Sequence, residues 1–202
     1  MNNVPGTRGY EAIKDAFIEV SQALDFAEIN KDFLEYLPSL PSRVLDAGAG
    51  VGQNAAALAR LGYLVVAVEP LPAFLDAARS TYRDLNVIWV NDSLPGLRKL
   101  GEASGMFDFI LVDGVWHHLD DEERSQCMAR FSTLLNDGGA CAISLRHGPA
   151  GAGTYIFPTD GRKTAVLAKH YGLRVLLHLA NQPSKMRNKP GVTWTRMVLR
   201  KE

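Results

Sequence analysis

Val44-Leu45-Asp46-Ala47-Gly48-Ala49-Gly50-Val51-Gly52 is the stretch that decides the fold of this chain. An apolar run ends around an acid, and three alternating glycines follow. An Ala-rich segment, 53–61, comes next, and then a second apolar run, 64–68, that stops at Glu69. The order predicted is strand, glycine turn, helix, strand and terminal acid, the layout of a nucleoside-binding βαβ unit. Glycine lets the backbone approach a ligand where any Cβ would collide. An acid at the end of the second strand accepts hydrogen bonds from a ribose diol.

Downstream of this unit the alternation continues. Apolar runs at 87–90, 107–112 and 140–145 read as strands, and the segments 73–82, 94–100 and 121–135 read as helices between them. Short connections between alternating strands and helices imply a parallel sheet covered on both faces. The pattern then changes. A helix at 161–171 leads into an apolar run, 173–179, a polar loop, 180–191, and a last apolar segment, 193–199. Two strands joined without a helix imply an antiparallel pair. Upstream, Ile13, Phe17, Val20 and Leu24 recur at helical spacing within 10–26. A second short helix is expected at 29–37 before Pro38 and Pro41 interrupt the chain. The expected organisation is a single domain over 1–202, with a helical cap at 1–40 and the sheet core at 41–202.

The pattern apolar-apolar-Asp-x-Gly-x-Gly-x-Gly, with an acid ending the next strand, resembles motif I of the class I S-adenosylmethionine-dependent methyltransferases. Further landmarks occur in the same order: Asn91-Asp92-Ser93, the run Phe107 to Asp113 followed by Val115-Trp116-His117-His118-Leu119, and Leu134-Leu135-Asn136-Asp137-Gly138-Gly139. They cover roughly residues 43 to 146. The resemblance implies an α/β fold: a doubly wound, mostly parallel seven-stranded sheet with an antiparallel last strand and helices on both faces. It also implies S-adenosylmethionine as cofactor, and it leaves the methyl acceptor unspecified.

Site residues follow from the same likeness. Gly48, Gly50 and Gly52 are expected near the carboxypropyl portion of the cofactor, unless they serve only a tight turn. Asp46 is expected near the cofactor's amino group, Glu69 on the ribose hydroxyls, and Asp92 on the adenine amino group with Ser93 beside it. Asp92 has a second reading, as the cap of a helix starting near Leu94. Asp113 ends the fourth strand, where open α/β sheets place their chemistry. Trp116 and His117 follow, and are expected to flank cofactor or acceptor. His117 is the candidate general base, because an unperturbed imidazole titrates near neutral pH. Arg146 and His147 follow the fifth strand at the same sheet edge. The Gly/Ala/Pro-rich stretch 148–153 and Tyr155 come after them. This is either a surface connection or a substrate lid in which Arg146 clamps a carboxylate or phosphate. Tyr10, near the start of the first helix, is a candidate cover for the cofactor.

Bulk properties narrow the alternatives. With 202 residues and 47% apolar content, the chain can bury a sizeable single core. Residues 1–10 lack the apolar region of a signal peptide, and no apolar run approaches bilayer-spanning length, so a cytoplasmic protein is expected. The two cysteines, Cys127 and Cys141, have no metal-ligand spacing. The net charge of zero conceals an asymmetry. Residues 1–145 hold 11 Lys and Arg against 20 Asp and Glu, a net of −9, and residues 146–202 hold 11 against 2, a net of +9. Such a dipole is either a surface feature with no specific role or a field that draws an anionic substrate toward the C-terminal third. Nucleic acid fits less well, because few aromatics interleave the basic residues. Two other readings compete. A nicotinamide-dependent oxidoreductase is disfavoured by the G-x-G-x-G spacing, and a non-catalytic S-adenosylmethionine-binding protein would need a cofactor without turnover.

Overall fold

The structure, a computed structural model, describes residues 4–101, 105–151, 153–185, 189 and 191–202. Its centre is one seven-stranded sheet: β1 (Arg43–Ala47), β2 (Leu64–Val68), β3 (Val87–Val90), β4 (Phe107–Val112), β5 (Leu135–His147), β6 (Leu173–Pro183) and β7 (Thr193–Lys201). The order is β3-β2-β1-β4-β5-β7-β6. The first five strands pair in parallel, while β7 runs antiparallel to both β5 and β6. Strand order reverses at β1, which lies between β2 and β4, and the cleft beyond their C-terminal ends is the expected ligand position.

Alternation along each strand splits the core in two. Leu45, Val66, Ile110, Val112 and Ile143 face α5 (Asp121–Leu134) and α6 (Gly161–His170), where Met128, Phe131 and Ala168 are fully buried. Val44, Val65, Phe109, Leu111 and Ala142 face the other way, toward Ala55 and Leu58 of α3 (Gln53–Arg60) and toward Phe33. Small side chains let α4 (Pro72–Thr81) lie against α3 through Ala56 and Ala78. Asp120 and Glu123 form a reciprocal capping box at the start of α5, and Asp160 caps α6.

Several expected boundaries shift. The helix expected at 94–100 is a turn that closes with a short 3-10 segment, Arg98–Leu100. Pro95 and Gly96 are poor helix interior residues, and burying Leu94 and Leu97 in the core holds the turn instead. The helix expected at 10–26 starts as a 3-10 turn, Glu11–Ile13, and is regular only over α1 (Lys14–Gln22). The 29–37 helix is replaced by α2 (Phe26–Ile29) and a 3-10 turn, Leu34–Tyr36. β5 begins five residues earlier than expected, and β6 runs on into the segment read as a loop. Among the described residues, no helix is long and apolar enough to cross a membrane.

Candidate cofactor and acceptor cleft

A cavity of about 760 Å³ opens at the C-terminal ends of β1, β2, β4 and β5. Its size lies within the usual range for small-ligand sites. The turn leaving β1 forms its floor. Gly48 and Ala49 both donate backbone N–H bonds to the Val68 carbonyl at 2.9 Å, which fastens the turn to the end of β2. Gly50 lies in this floor at φ +54°, and the nearest atom to a Cβ added there is a Phe17 ring carbon 4.0 Å away. A side chain at Gly50 would therefore occupy the cavity itself. Gly52 has a different role. It does not line the cavity, and a Cβ there would come within 2.5 Å of the Trp89 ring and 2.9 Å of Ala78. Its smallness serves the packing of α3 on α4 and β3.

Glu69 lines the cavity where β2 ends. Oε2 accepts from the Gly50 N–H at 2.9 Å and Oε1 from the Leu71 N–H at 2.8 Å. Burial pushes its carboxyl up to about 7, against the pull of those two N–H bonds. Each oxygen keeps a further lone pair for a ligand hydroxyl. Asp92 and Ser93 line the same end. Both Asp92 oxygens are engaged by backbone, accepting from Ser93 N–H at 2.8 Å and Lys99 N–H at 2.6 Å. Asp92 thus organises the turn that replaces the expected helix. Phe17 of α1 stacks on Phe74 of α4 at 5.0 Å, and both rings line the cavity.

Asp46 is buried and outside the cavity lining. Oδ2 has no partner among the described residues, and burial, reinforced by the Asp113 charge, pushes its carboxyl up to about 8. Asp113 does line the cavity and is held on three sides. Its Oδ1 accepts from Ser144 Oγ at 2.6 Å and from Arg196 Nη1 at 3.1 Å, and Asn54 Nδ2 stands 3.5 Å from Oδ2. The Arg196 guanidinium lies 5.4 Å from the ring centres of both Phe33 and Trp194.

The remaining expectations divide. Trp116 is fully buried in the α5 side of the core and outside the cavity lining. Its indole is core packing. His147 is turned from the cavity because side chains alternate along β5. Its ring is held by Thr195 Oγ1 at 2.8 Å and Thr159 Oγ1 at 3.2 Å. The Tyr155 ring packs edge-on against Phe157 and under Arg8, again outside the cavity. His117 does line the cavity, but burial, then His118 and Arg146, push its imidazole down to about 2. It is therefore a far weaker base than an unperturbed histidine.

Arg146 lines the cavity, and among the described residues its guanidinium has no hydrogen bond or ion pair. Cross-strand register explains its surroundings. Arg146 stands opposite Trp194 and Ser144 opposite Arg196, so these four share one face at the β5–β7 edge. Tyr10 also lines the cavity, with its hydroxyl 2.9 Å from His118 Nε2. His118, the second of the tandem histidines, lines it as well, and so do Asn54, Trp194, Arg196 and Lys185, which the sequence did not single out; Lys185 is ion-paired to Asp32 at 3.3 Å. The charge asymmetry was the one sequence signal that pointed toward the C-terminal cations.

Residues 44–139 match the family model described as a methyltransferase domain. Over that stretch, just under half of its length, the chain resembles a methyltransferase domain. An uncharacterized methyltransferase from Mycobacterium tuberculosis is 34% identical over 108 residues, which span 53% of this chain and 41% of the relative. The match thus covers less than half of that relative's length. A didemethyltoxoflavin N1-methyltransferase from Burkholderia thailandensis, solved with its acceptor and S-adenosylhomocysteine bound, superposes with a TM-score of 0.68 at 23% identity, over 96% of this chain and 84% of its own. A TehB-like S-adenosylmethionine-dependent methyltransferase from Corynebacterium glutamicum gives 0.69 at 18% identity, over 99% and 100%. The fold is the one these enzymes share. The cleft also fits an adenosyl sulfonium on its own geometry. The open face of Gly50, the free lone pairs of Glu69 and the apolar wall of Phe17 and Phe74 offer backbone, acid and aromatic surface in one cleft.

Proposed function

We propose that this protein transfers a methyl group from S-adenosylmethionine to a small anionic acceptor. Glu69 carries the first half of this reading. It is a nearly buried acid whose two oxygens are fixed by backbone N–H groups at the mouth of the glycine turn. In that position it would accept the ribose hydroxyls, with Asp92 and Ser93 at the adenine end and Gly48 and Gly50 beneath the amino-acid portion. The bound cofactor supplies a methyl group already activated on a sulfonium. The chain's own contribution is to hold the acceptor in line and keep water out.

Arg146 carries the second half. Arg146 is a half-buried cation in the cavity wall, with no acid paired to it among the described residues, so it is free to meet a ligand anion. A carboxylate or phosphate would accept two parallel N–H bonds from it. Asp113 cannot fill that role, since Arg196 and Ser144 already hold it.

Calorimetry with S-adenosylhomocysteine on the wild type and Glu69→Ala tests the cofactor site. Charge-assisted hydrogen bonds contribute about 1.5–3 kcal/mol each, so the variant should bind roughly tenfold to a few hundredfold more weakly. Equal affinity in the two proteins would remove the ribose assignment.

A further inference from the structure

We propose that Tyr10, backed by His118, takes the proton that the acceptor atom loses during methyl transfer. The inference rests on the methyl-transfer reading above. His118 follows the residue that the sequence favoured as base, and its surroundings are different. Its Nδ1 is 2.8 Å from the Tyr155 carbonyl oxygen and its Nε2 is 2.9 Å from the Tyr10 hydroxyl. A carbonyl only accepts, so Nδ1 carries the ring proton. Nε2 then offers its lone pair, and the Tyr10 hydroxyl is the donor to it. The carbonyl thus fixes both the tautomer and the direction of the chain.

His117 has none of this. Its ring is 4.1 Å from that of His118, but its Nδ1 is buried without a partner among the described residues. Nothing orients its proton.

Placement supports a chemical role. Tyr10 and His118 both line the cavity. Burial pushes the Tyr10 hydroxyl up to about 12, the Glu69 carboxylate adds to this and the Arg146 guanidinium opposes it, so Tyr10 gives up its proton only as it takes another. Tyr10 shares one cavity with the acid assigned to the cofactor sugar and the cation assigned to the acceptor. Burial keeps His118 neutral near pH 7, and Arg146 adds to that effect while the Tyr155 carbonyl opposes it. Two glycines make room for the pair. A Cβ at Gly153 would lie 2.3 Å from His118 Cε1 and 3.0 Å from Tyr10 Cε2, and one at Gly6 would lie 3.1 Å from His118 Cβ.

The step balances as follows. The new bond from the acceptor atom to the methyl carbon forms as the S–C bond breaks, and the electron pair of the broken bond stays on sulfur. The acceptor's proton passes to Tyr10 Oη while the Tyr10 proton passes to His118 Nε2. Tyr10 ends as a neutral phenol and His118 as an imidazolium, which later loses its proton to water. The acceptor must therefore carry an O–H, S–H or N–H group as well as its anion. Tyr10 is the catalytic residue, and His118 is a positioning residue that acts through it.

Two measurements test this. Long-range proton–nitrogen NMR of the protein saturated with S-adenosylhomocysteine should show His118 neutral, with the proton on Nδ1, at pH 7.5. Tyr10→Phe should move the Nε2 signal and keep that tautomer. Turnover is then read as S-adenosylhomocysteine formed from a panel of small hydroxy, mercapto and amino carboxylates. Tyr10→Phe and His118→Gln should lower kcat by about 10²- to 10⁴-fold. The affinity for S-adenosylhomocysteine and KM should change less than about threefold, and thermal unfolding should confirm that each variant is folded. A protonated Nε2 in the wild type, no turnover of any panel member, or full kcat in Tyr10→Phe would overturn the proposal. So would a loss of kcat matched by loss of S-adenosylhomocysteine affinity, which marks a cover and not a proton acceptor. If the wild type does not bind S-adenosylhomocysteine at all, the cofactor reading falls first. If it binds and the other results fail, only the proton route falls.

Discussion

The carboxylate of Glu69 accepts a hydrogen bond from the Gly50 backbone N–H at 2.9 Å, so the acid that ends β2 and the turn that leaves β1 form one unit. This coupling makes cofactor affinity depend on pH. The Glu69 carboxyl sits at about 7, and only its ionised form has all its lone pairs free to accept. S-adenosylhomocysteine affinity should therefore fall as pH drops below 7, by up to about tenfold per unit. Glu69→Gln should bind weakly at every pH and show a flatter profile. Calorimetry from pH 5.5 to 8.5 reads both.

Asp46 should govern stability more than binding. Its carboxyl is raised from an ordinary 3.8 to about 8 by burial, so the folded protein holds that proton more tightly than the unfolded chain does. The resulting stability is complete below about pH 4 and is lost as pH rises through about 8. Asp46→Asn should remove most of that dependence. Above pH 8 it should stabilise the fold by on the order of 1–3 kcal/mol, each kcal/mol being about 2–4 °C in Tm. Thermal scans at pH 6 and pH 9 would reveal it, and a larger gain at pH 6 than at pH 9 would contradict it.

Arg196 and Asp113 should behave as a buried pair. Their side chains are 5% and 15% exposed. Arg196→Met strands a carboxylate beside Ser144 and should cost about 3–5 kcal/mol in chemical denaturation. Adding Asp113→Asn should recover part of that loss. Strict additivity of the two changes would show that the charges are not coupled.

Two glycines two residues apart should fail in different ways. Gly52→Ala drives a methyl group into Trp89 and Ala78 at a left-handed φ of +84°, and should lose roughly 2–5 kcal/mol of stability. Gly50→Ala faces only the cavity, and should cost roughly 1–2 kcal/mol while weakening S-adenosylhomocysteine binding by about tenfold or more. Parallel unfolding and binding measurements separate the two.

Much of the sheet could be read before any coordinates. Apolar runs ending in Glu69 and Asp113 mark strand ends because a parallel sheet buries both faces and favours polar residues where the chain emerges, whereas Asp46 is a buried acid inside β1. The antiparallel pair was visible because no helix fits between 173–179 and 193–199. What escaped depended on long-range register. No local pattern reveals that Arg146 faces Trp194, or that Arg196 reaches Asp113 across β5. The same spacing that marked Gly48 and Gly50 as floor also marked Gly52, which instead packs a helix. Trp116 and His118 lie two positions apart on one 3-10 turn, yet one is core and the other cavity wall. A single turn of backbone decides which, and sequence alone does not carry its phase.

Arg8 accepts through its carbonyl from the Thr154 N–H at 3.0 Å, while Tyr10 bonds His118 a few residues away. The amino-terminal segment and the chain after β5 therefore share one seam above the cleft. Each contact closes a loop of more than 100 residues, so the first turns of the chain take their order from the finished core and not from their own sequence.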